Sequence, residues 1–292
     1  MLSIAIPVYN FEVVDLCSSL DRQARQLGID FEILCYDDLS QPEFRNINRR
    51  LDQIESLDYK ELKENLGRSK IRNLLAKDAK YDQILFMDCD SEVESEDYLS
   101  TYINLLDKEK VIYGGRSYKP EADQVSHILR WKYGVMREVR SAEERSKNPY
   151  RSFMTNNFIV DKESLAECPF NEDLDGYGHE DTLFALDLKQ SGIRIRHVDN
   201  ALCHIGLEDA EEYLRKTKQG VKNLSEIIKM GKLGANNKLY GTYLKLKKYS
   251  LLGLCMAYIR RNESKMIENL KSPTPNLRNF DLLKIFYLSQ YL

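Results

Sequence analysis

The chain has no apolar run approaching the ~20 residues that a bilayer span requires. Its longest candidate, Tyr249 to Ile259, is too short. The sequence opens directly on a strand pattern, with no basic segment and no cleavage site ahead of it, so no signal peptide is expected. Cysteine is scattered: Cys17, Cys35, Cys89, Cys168, Cys203 and Cys255 form no Cys-x-x-Cys pair, and several lie among apolar residues. That pattern speaks against disulfides and zinc and predicts buried free thiols in a reducing cytoplasm. Internal repeats and low-complexity tracts are missing. So are both common phosphate loops, Gly-x-x-x-x-Gly-Lys-Ser/Thr and a Gly-x-Gly-x-x-Gly after the first strand. A phosphate-bearing ligand would therefore need a metal ion or basic side chains.

What is present is an ordinary soluble composition, 30% charged and 42% hydrophobic over 292 residues. The length suits one large domain or a domain with an appendage. The net charge of −3 conceals an asymmetry. Residues 213–292 hold 16 Lys and Arg against 4 Asp and Glu, while residues 1–212 hold 27 against 42. An acidic body with a basic tail implies two functional parts. A basic tail faces anionic lipid, nucleic acid or a phosphorylated acceptor.

Strand and helix patterns alternate through the acidic body. Strands are expected at 2–8, 31–36, 81–87, 111–113, 157–160 and 193–198, and helices at 13–27, 44–54, 67–80, 96–107 and 180–190. This spacing predicts an α/β fold, a mainly parallel sheet with helices on both faces. Residues 137–153 are polar and charge-rich and read as a mobile loop, a candidate lid. After Gly206 the pattern is helical to the end.

Several strand ends carry polar residues suited to chemistry. Asp88-Cys89-Asp90 follows the apolar run Ile84-Leu85-Phe86-Met87, so two carboxylates reach the rim where open α/β sheets bind ligands. Carboxylate oxygens suit Mg²⁺ or Mn²⁺; a solvated loop is the plain alternative. Asp37-Asp38 can accept hydrogen bonds from a nucleobase or ribose, or can cap a turn with Ser40. Arg68, Lys70 and Arg72 open a helix and suit a diphosphate, or form a solvated face. Glu180 and Asp181 start a helix after Tyr177-Gly178-His179 and offer a general base, or only a capped helix start. His204 is a metal ligand or a satisfied core histidine.

The order of these features resembles glycosyltransferase family 2, inverting nucleotide-sugar transferases of the GT-A (Rossmann-like) fold. The resemblance rests on Ser3-Ile4-Ala5-Ile6-Pro7-Val8-Tyr9-Asn10, Glu32 through Asp37-Asp38-Leu39-Ser40, and Asn65-Leu66-Gly67 with Arg72-Asn73. It continues through Phe86-Met87-Asp88-Cys89-Asp90, Thr155 through Val160, and Gly178-His179-Glu180-Asp181. The Gly-x-Glu-Asp part is similar to the galactosyltransferase-type C-terminal module of related enzymes. The resemblance covers residues 1–206, a catalytic domain with a nucleotide-binding half (about 1–115) and an acceptor half (about 116–206). Residues 207–292 fall outside it as a basic helical extension.

The resemblance implies roles residue by residue. Pro7, Tyr9 and Asp38 would line the nucleobase pocket, with Asp38 accepting from a uracil-type imide. Arg72 would approach the diphosphate, Asp88 ribose or metal, and Asn157 the donor sugar. Asp90 would be the main ligand of Mn²⁺ or Mg²⁺, completed by His204. Asp181 would be the general base, with Glu180 holding sugar hydroxyls. Two departures stand out: Leu39 replaces the usual glycine of Asp-Asp-Gly-Ser, and Thr155-Asn156 replaces a small pair before Asn157.

The implied activity is a metal-dependent inverting transfer of a hexose from a nucleotide sugar, a UDP-sugar, to a saccharide or lipid-linked saccharide, as in bacterial surface polysaccharide synthesis. A sugar-nucleotide nucleotidyltransferase and a non-catalytic glycan or nucleotide-sugar binding module are the alternatives. The first would carry a glycine-rich basic loop where Val8-Tyr9-Asn10-Phe11 stands. A cytoplasmic protein is expected, and no nucleic-acid partner, because aromatic and basic residues of the tail follow helical spacing. Lys245, Lys247, Lys248 and Arg260-Arg261 flank an apolar helix, which suits either peripheral docking on the inner face of an anionic membrane or packing on the catalytic domain.

Overall fold

A computed structural model of the chain describes residues 1–292 apart from Asp107 and Asp175. The expected helix end at Asp107, and Asp175 in the stretch 173–179, lie outside the described residues. Two compact units are distinguished. The first comprises residues 1–119, 137–174 and 180–206; the second comprises 120–136, 175–179 and 207–292.

The strands of the first unit are, in chain order, β1 (Leu2–Val8), β2 (Phe31–Asp37), β3 (Leu57–Glu61), β4 (Gln83–Met87), β5 (Ser91–Glu92), β6 (Val111–Tyr113), β7 (Arg116–Ser117), β8 (Asn157–Asp161), β9 (Ile195–His197) and β10 (Leu202–His204). Seven of them form one sheet in the order β3-β2-β1-β4-β8-β6-β9. All neighbours are parallel except β8, which runs antiparallel to both β4 and β6. The central strands are buried on both faces, which is why they read as continuous apolar runs.

Period two then sorts their side chains. Ala5, Leu34, Tyr36, Ile84 and Phe86 point to one face, where they meet Ile71 and Leu75 of helix Gly67–Asp78 and Phe184 and Leu188 of helix Glu180–Gln190. Ile4, Ile6, Ile33, Leu85 and Met87 point to the other, against Leu16, Leu20 and Ala24 of helix Val14–Leu27 and Tyr98, Leu99 and Tyr102 of helix Tyr98–Ile103. The expected α/β architecture is thus found.

Three features differ from the sequence reading. β3, with the sequence Leu-Asp-Tyr-Lys-Glu, has no apolar run because it is an edge strand, and charge on an edge discourages pairing with another chain. The expected helix 44–54 is a helix Pro42–Asn48 continued by a 3₁₀ turn Arg49–Gln53. Residues 137–153 do not form a free loop. They contain a helix, Ala142–Ser146, started by a capping box in which Ser141 and Glu144 satisfy each other's backbone. Arg145 of that helix is buried and donates to the carbonyls of Gly114 (3.1 Å) and Val198 (2.6 Å) and to Nδ1 of His197 (3.2 Å). A charge this deep, bound to buried backbone, pins the segment and removes the basis for a lid.

The second unit is helical. Helices Ala210–Lys229, Lys238–Lys248, Leu252–Leu270 and Leu277–Tyr291 close around Leu224, Ile259, Leu270, Phe280, Leu283 and Leu288. Tyr213 stacks on Phe280 at 5.3 Å. Asp209, Asn237 and Asn276 cap three of the helices through their side chains.

The turn after β2 carries strain. Leu39 sits at φ +67°, where a glycine would be at ease. A left-handed residue with a side chain costs about 1–2 kcal/mol, part of which glycine returns as unfolded-chain entropy. Leu39→Gly should therefore raise the unfolding free energy by about 0.5–1 kcal/mol in urea denaturation, and Leu39→Val should lower it.

Candidate functional site

A second, three-stranded sheet builds the site from the first unit. β10 pairs antiparallel with β5 and parallel with β7. The register sets His204 opposite Ser91, one residue beyond Asp90, and Leu202 opposite Arg116. Asp90 is fastened there by its carbonyl, which accepts from Ile205 N–H at 2.9 Å. Gly206 is needed for this approach, since a Cβ on it would lie 2.5 Å from that of Asp90 and 3.1 Å from the Phe11 ring. Strands of two and three residues have no readable period, so this sheet, Arg116 and Gly206 were invisible in the sequence. The Gly114-Gly115 pair just before Arg116 was the available signal.

The two carboxylates of Asp88-Cys89-Asp90 diverge. Asp88 is held between two arginines: Arg72 Nη2 reaches Oδ1 at 2.9 Å and Arg116 Nη2 reaches Oδ2 at 3.1 Å. Arg72 is only 2% exposed, so Asp88 is the counter-charge that lets it be buried. The network continues outward. Arg116 Nη1 lies 3.4 Å from Glu138, which also accepts from the Tyr118 hydroxyl. Arg72 Nη1 donates to the Arg68 carbonyl and lies 3.9 Å from Glu180, and Arg68 pairs with Glu180 at 3.1 Å. Arg116 and Glu138 are participants that the sequence reading did not single out.

Asp90 faces His204 instead, Oδ1 to Nδ1 at 3.3 Å. Burial alone would push its carboxyl up; His204, Arg116 and Arg68 outweigh that and hold it well below the usual carboxylate range. Asp90 Oδ1 and both ring nitrogens of His204 are buried without a hydrogen-bond partner. Buried polar atoms are rarely left so, and each orphan asks for an explanation. A divalent cation fits: bonds of about 2.1 Å at right angles place neighbouring ligand atoms about 3 Å apart. Among the described residues no cluster of three or more His, Cys, Asp or Glu side chains could hold a metal. Two protein ligands is the usual arrangement when substrate phosphates and water supply the rest.

Helix Glu180–Gln190 begins with the other pair. Glu180 is buried; burial would raise its carboxyl, but Arg68 and Arg72 keep it below the usual range. Asp181 is pushed up to about 7, by burial first and then by the charge of Glu180, against hydrogen bonds from Thr182. One carboxylate is thereby kept ionised while its neighbour is poised to exchange a proton near neutrality. His179, just before them, has φ +70°.

At the β1 and β2 ends, Tyr9 is exposed, Pro7 is half-buried and Asp38 is buried. Asp38 Oδ1 accepts the Leu66 N–H (2.6 Å) and Oδ2 the Gly67 N–H (2.9 Å). Each oxygen keeps one lone pair for another donor. Asp37 is turned into the turn itself, accepting from Ser40 N–H and the Tyr59 hydroxyl.

Asn157 calls for a correction. It is wholly buried, and its side chain is saturated. Its oxygen accepts the Tyr98 (2.7 Å) and Tyr102 (2.6 Å) hydroxyls, and its amide donates to the carbonyls of Gly115 (2.9 Å) and Asn200 (2.8 Å). All four of its hydrogen-bonding positions are used inside the protein, so it braces the β6–β7 loop and does not line a sugar pocket. Asn157→Ala should lose about 3 kcal/mol of stability in urea denaturation, because buried hydroxyls and carbonyls are left unsatisfied.

A doubly wound, mainly parallel sheet whose C-terminal rim gathers an Asp-His pair, an arginine-bound aspartate and a helix-starting carboxylate pair is the GT-A arrangement of nucleotide-sugar enzymes. Residues 3–167 match the sequence model of glycosyl transferase family 2, and the chain belongs to that family. Chondroitin synthase of Escherichia coli is 25% identical over 236 residues, covering 70% of this chain and 34% of that protein. The chain thus spans about a third of that relative's length. Among solved structures, a mannosyltransferase from Pyrobaculum calidifontis in complex with GDP-Man and Mn²⁺ is similar with a TM-score of 0.54 and 17% identity, covering 78% of this chain and 64% of the other. S. aureus TarS 1–349 in complex with UDP-GlcNAc has a TM-score of 0.52 and 18% identity, covering 99% and 91%. At such identities these structures speak for the fold.

Proposed function

We propose that this chain is a metal-dependent, inverting glycosyltransferase. It takes a sugar from a nucleotide-sugar donor, a UDP-sugar, and passes it to a hydroxyl of a saccharide or lipid-linked saccharide in bacterial surface polysaccharide synthesis, on the cytoplasmic side. The observation that carries the reading is the division of carboxylates at one sheet rim. Asp90 is held ionised beside His204, 3.3 Å from its Nδ1, with no hydrogen bond made by that oxygen or by either ring nitrogen, while Asp181 is poised near 7 at a helix start. Family membership and the UDP-GlcNAc, GDP-Man and Mn²⁺ bound by similar proteins support it.

Mn²⁺ or Mg²⁺, held by Asp90 and His204, would neutralise charge on the departing nucleoside diphosphate. The remaining work falls to side chains. Asp38 uses its spare lone pairs to accept from the nucleobase, with Pro7 and Tyr9 as walls. Arg72 and Arg116, fixed by Asp88, set a rigid positive field at the rim, so no reorganisation is needed as charge develops. Asp88 contacts ribose from the side its arginines leave open. Glu180, fixed by Arg68, orients sugar hydroxyls, and Asp181 takes the proton of the attacking acceptor hydroxyl. Attack on the face opposite the leaving group inverts the anomeric centre, through an oxocarbenium-like transition state.

Two outcomes test the base. Transfer should have an acidic limb with an apparent pKa near 7, activity falling as pH drops and Asp181 becomes protonated. Asp181→Asn should keep donor affinity, by calorimetry, and lose transfer by about 100-fold or more. An unchanged rate in that variant would remove Asp181 from the role.

A further inference from the structure

The helical unit exposes a face that its own fold does not account for. In helix Leu252–Leu270, Ile259, Met266 and Leu270 are buried in the unit's core. A helix packed this way normally turns polar residues outward. Here Leu254 is 72% exposed and Tyr258 58%, and the turn leading in adds Tyr249 at 66% and Leu251 at 48%. Leu251, Leu254 and Tyr258 are spaced three and four residues apart, so they share one face. Ser250, at φ +58°, makes the sharp turn from the preceding helix Lys238–Lys248 that sets Tyr249 and Leu251 in solvent.

The sequence from Lys245 to Asn262 carries charge of one sign. Residues 245–262 contain no Asp or Glu. Lys245, Lys247 and Lys248 lie on one side of the apolar residues and Arg260 and Arg261 on the other, all exposed. None of the five is ion-paired among the described residues; Lys248 only lies over the Tyr249 ring at 5.9 Å. Exposed basic side chains that make no ion pair among the described residues and flank exposed Leu and Tyr along the chain match a surface that is anionic outside and apolar beneath. No described helix is long and apolar enough to cross a membrane, so the fit is to docking on one leaflet.

We propose that residues 245–261 dock this unit on an anionic lipid bilayer, with Leu251, Leu254 and Tyr258 entering below the headgroups and the lysines and arginines pairing with lipid phosphates. Tyrosine suits that depth, with its ring in the apolar layer and its hydroxyl at the headgroups. Long basic side chains can lie along apolar surface and still reach the anions. This inference is independent of the sugar-transfer reading and leaves the rim residues uninvolved.

Co-sedimentation of the full chain with vesicles tests it, using phosphatidylcholine alone and phosphatidylcholine with phosphatidylglycerol. The chain should pellet only with the anionic vesicles and should be released as salt rises. K245Q/K247Q/K248Q should lower the partition coefficient roughly 100-fold, at about five-fold per basic residue. L254S/Y258S should also abolish pelleting, and both variants should melt like the parent because all the altered side chains are exposed. Failure of the parent chain to pellet with anionic vesicles would overturn the proposal. So would equal pelleting by L254S/Y258S. A parent dimer in sedimentation velocity, dissolved by L254S/Y258S without vesicle binding, would assign the face to a second copy of the chain instead.

Discussion

The site depends on a single shared anion. Arg72 is buried to 2% exposure, and a guanidinium that deep is tolerable only against a fixed negative partner. Asp88 is that partner, and its second oxygen binds Arg116, so one carboxylate joins the end of β4, helix Gly67–Asp78 and β7. Removing one member of such a buried set typically costs about 3–5 kcal/mol. The same engagement has a chemical consequence. Asp88 has an arginine on each oxygen, whereas Asp90, two residues on, faces a histidine and has an oxygen that makes no hydrogen bond.

Around this anchor the chain stores the features that folding alone would avoid. Asp90 and His204 leave buried polar atoms unsatisfied. Leu39 and His179 hold left-handed backbone next to the Asp37-Asp38 and Glu180-Asp181 pairs. Two carboxylates stand side by side at the start of one helix, and burial first, then the charge of Glu180, raise the pKa of Asp181. Left-handed backbone beside an acidic pair and buried polar atoms without a partner are features that folding alone does not favour, and they are common at ligand sites. Behind the rim, Asn157 and Arg145 do the opposite work, committing their polar groups to buried backbone carbonyls that tie the loops together.

The sheet was legible because its central strands are buried on both faces, and continuous runs such as Ile84 to Met87 are hard to read otherwise. The acidic rim was legible for a similar reason: strand ends locate themselves once the strands are placed. What escaped was set by contacts distant in sequence. β5, β7 and β10 are too short to carry a period, yet their pairing is what brings His204 to Asp90 and Arg116 to Asp88. Arg145 looked like one more charge in a polar stretch, and only three-dimensional structure reveals the buried carbonyls that hold it. Asn157 illustrates the converse, since its position in a motif suggested a sugar contact and its burial assigns it to the frame.

The central claim is that the two aspartates have separate duties, Asp88 neutralising the arginines and Asp90 with His204 holding the cation. Calorimetric titration of Mn²⁺ into the UDP-saturated chain tests it most directly, comparing Asp88→Asn with Asp90→Asn. The account predicts that Asp90→Asn weakens Mn²⁺ by roughly 100-fold or more while folded Asp88→Asn stays within about ten-fold of the parent. Loss of Mn²⁺ binding in Asp88→Asn with normal affinity in Asp90→Asn would contradict it.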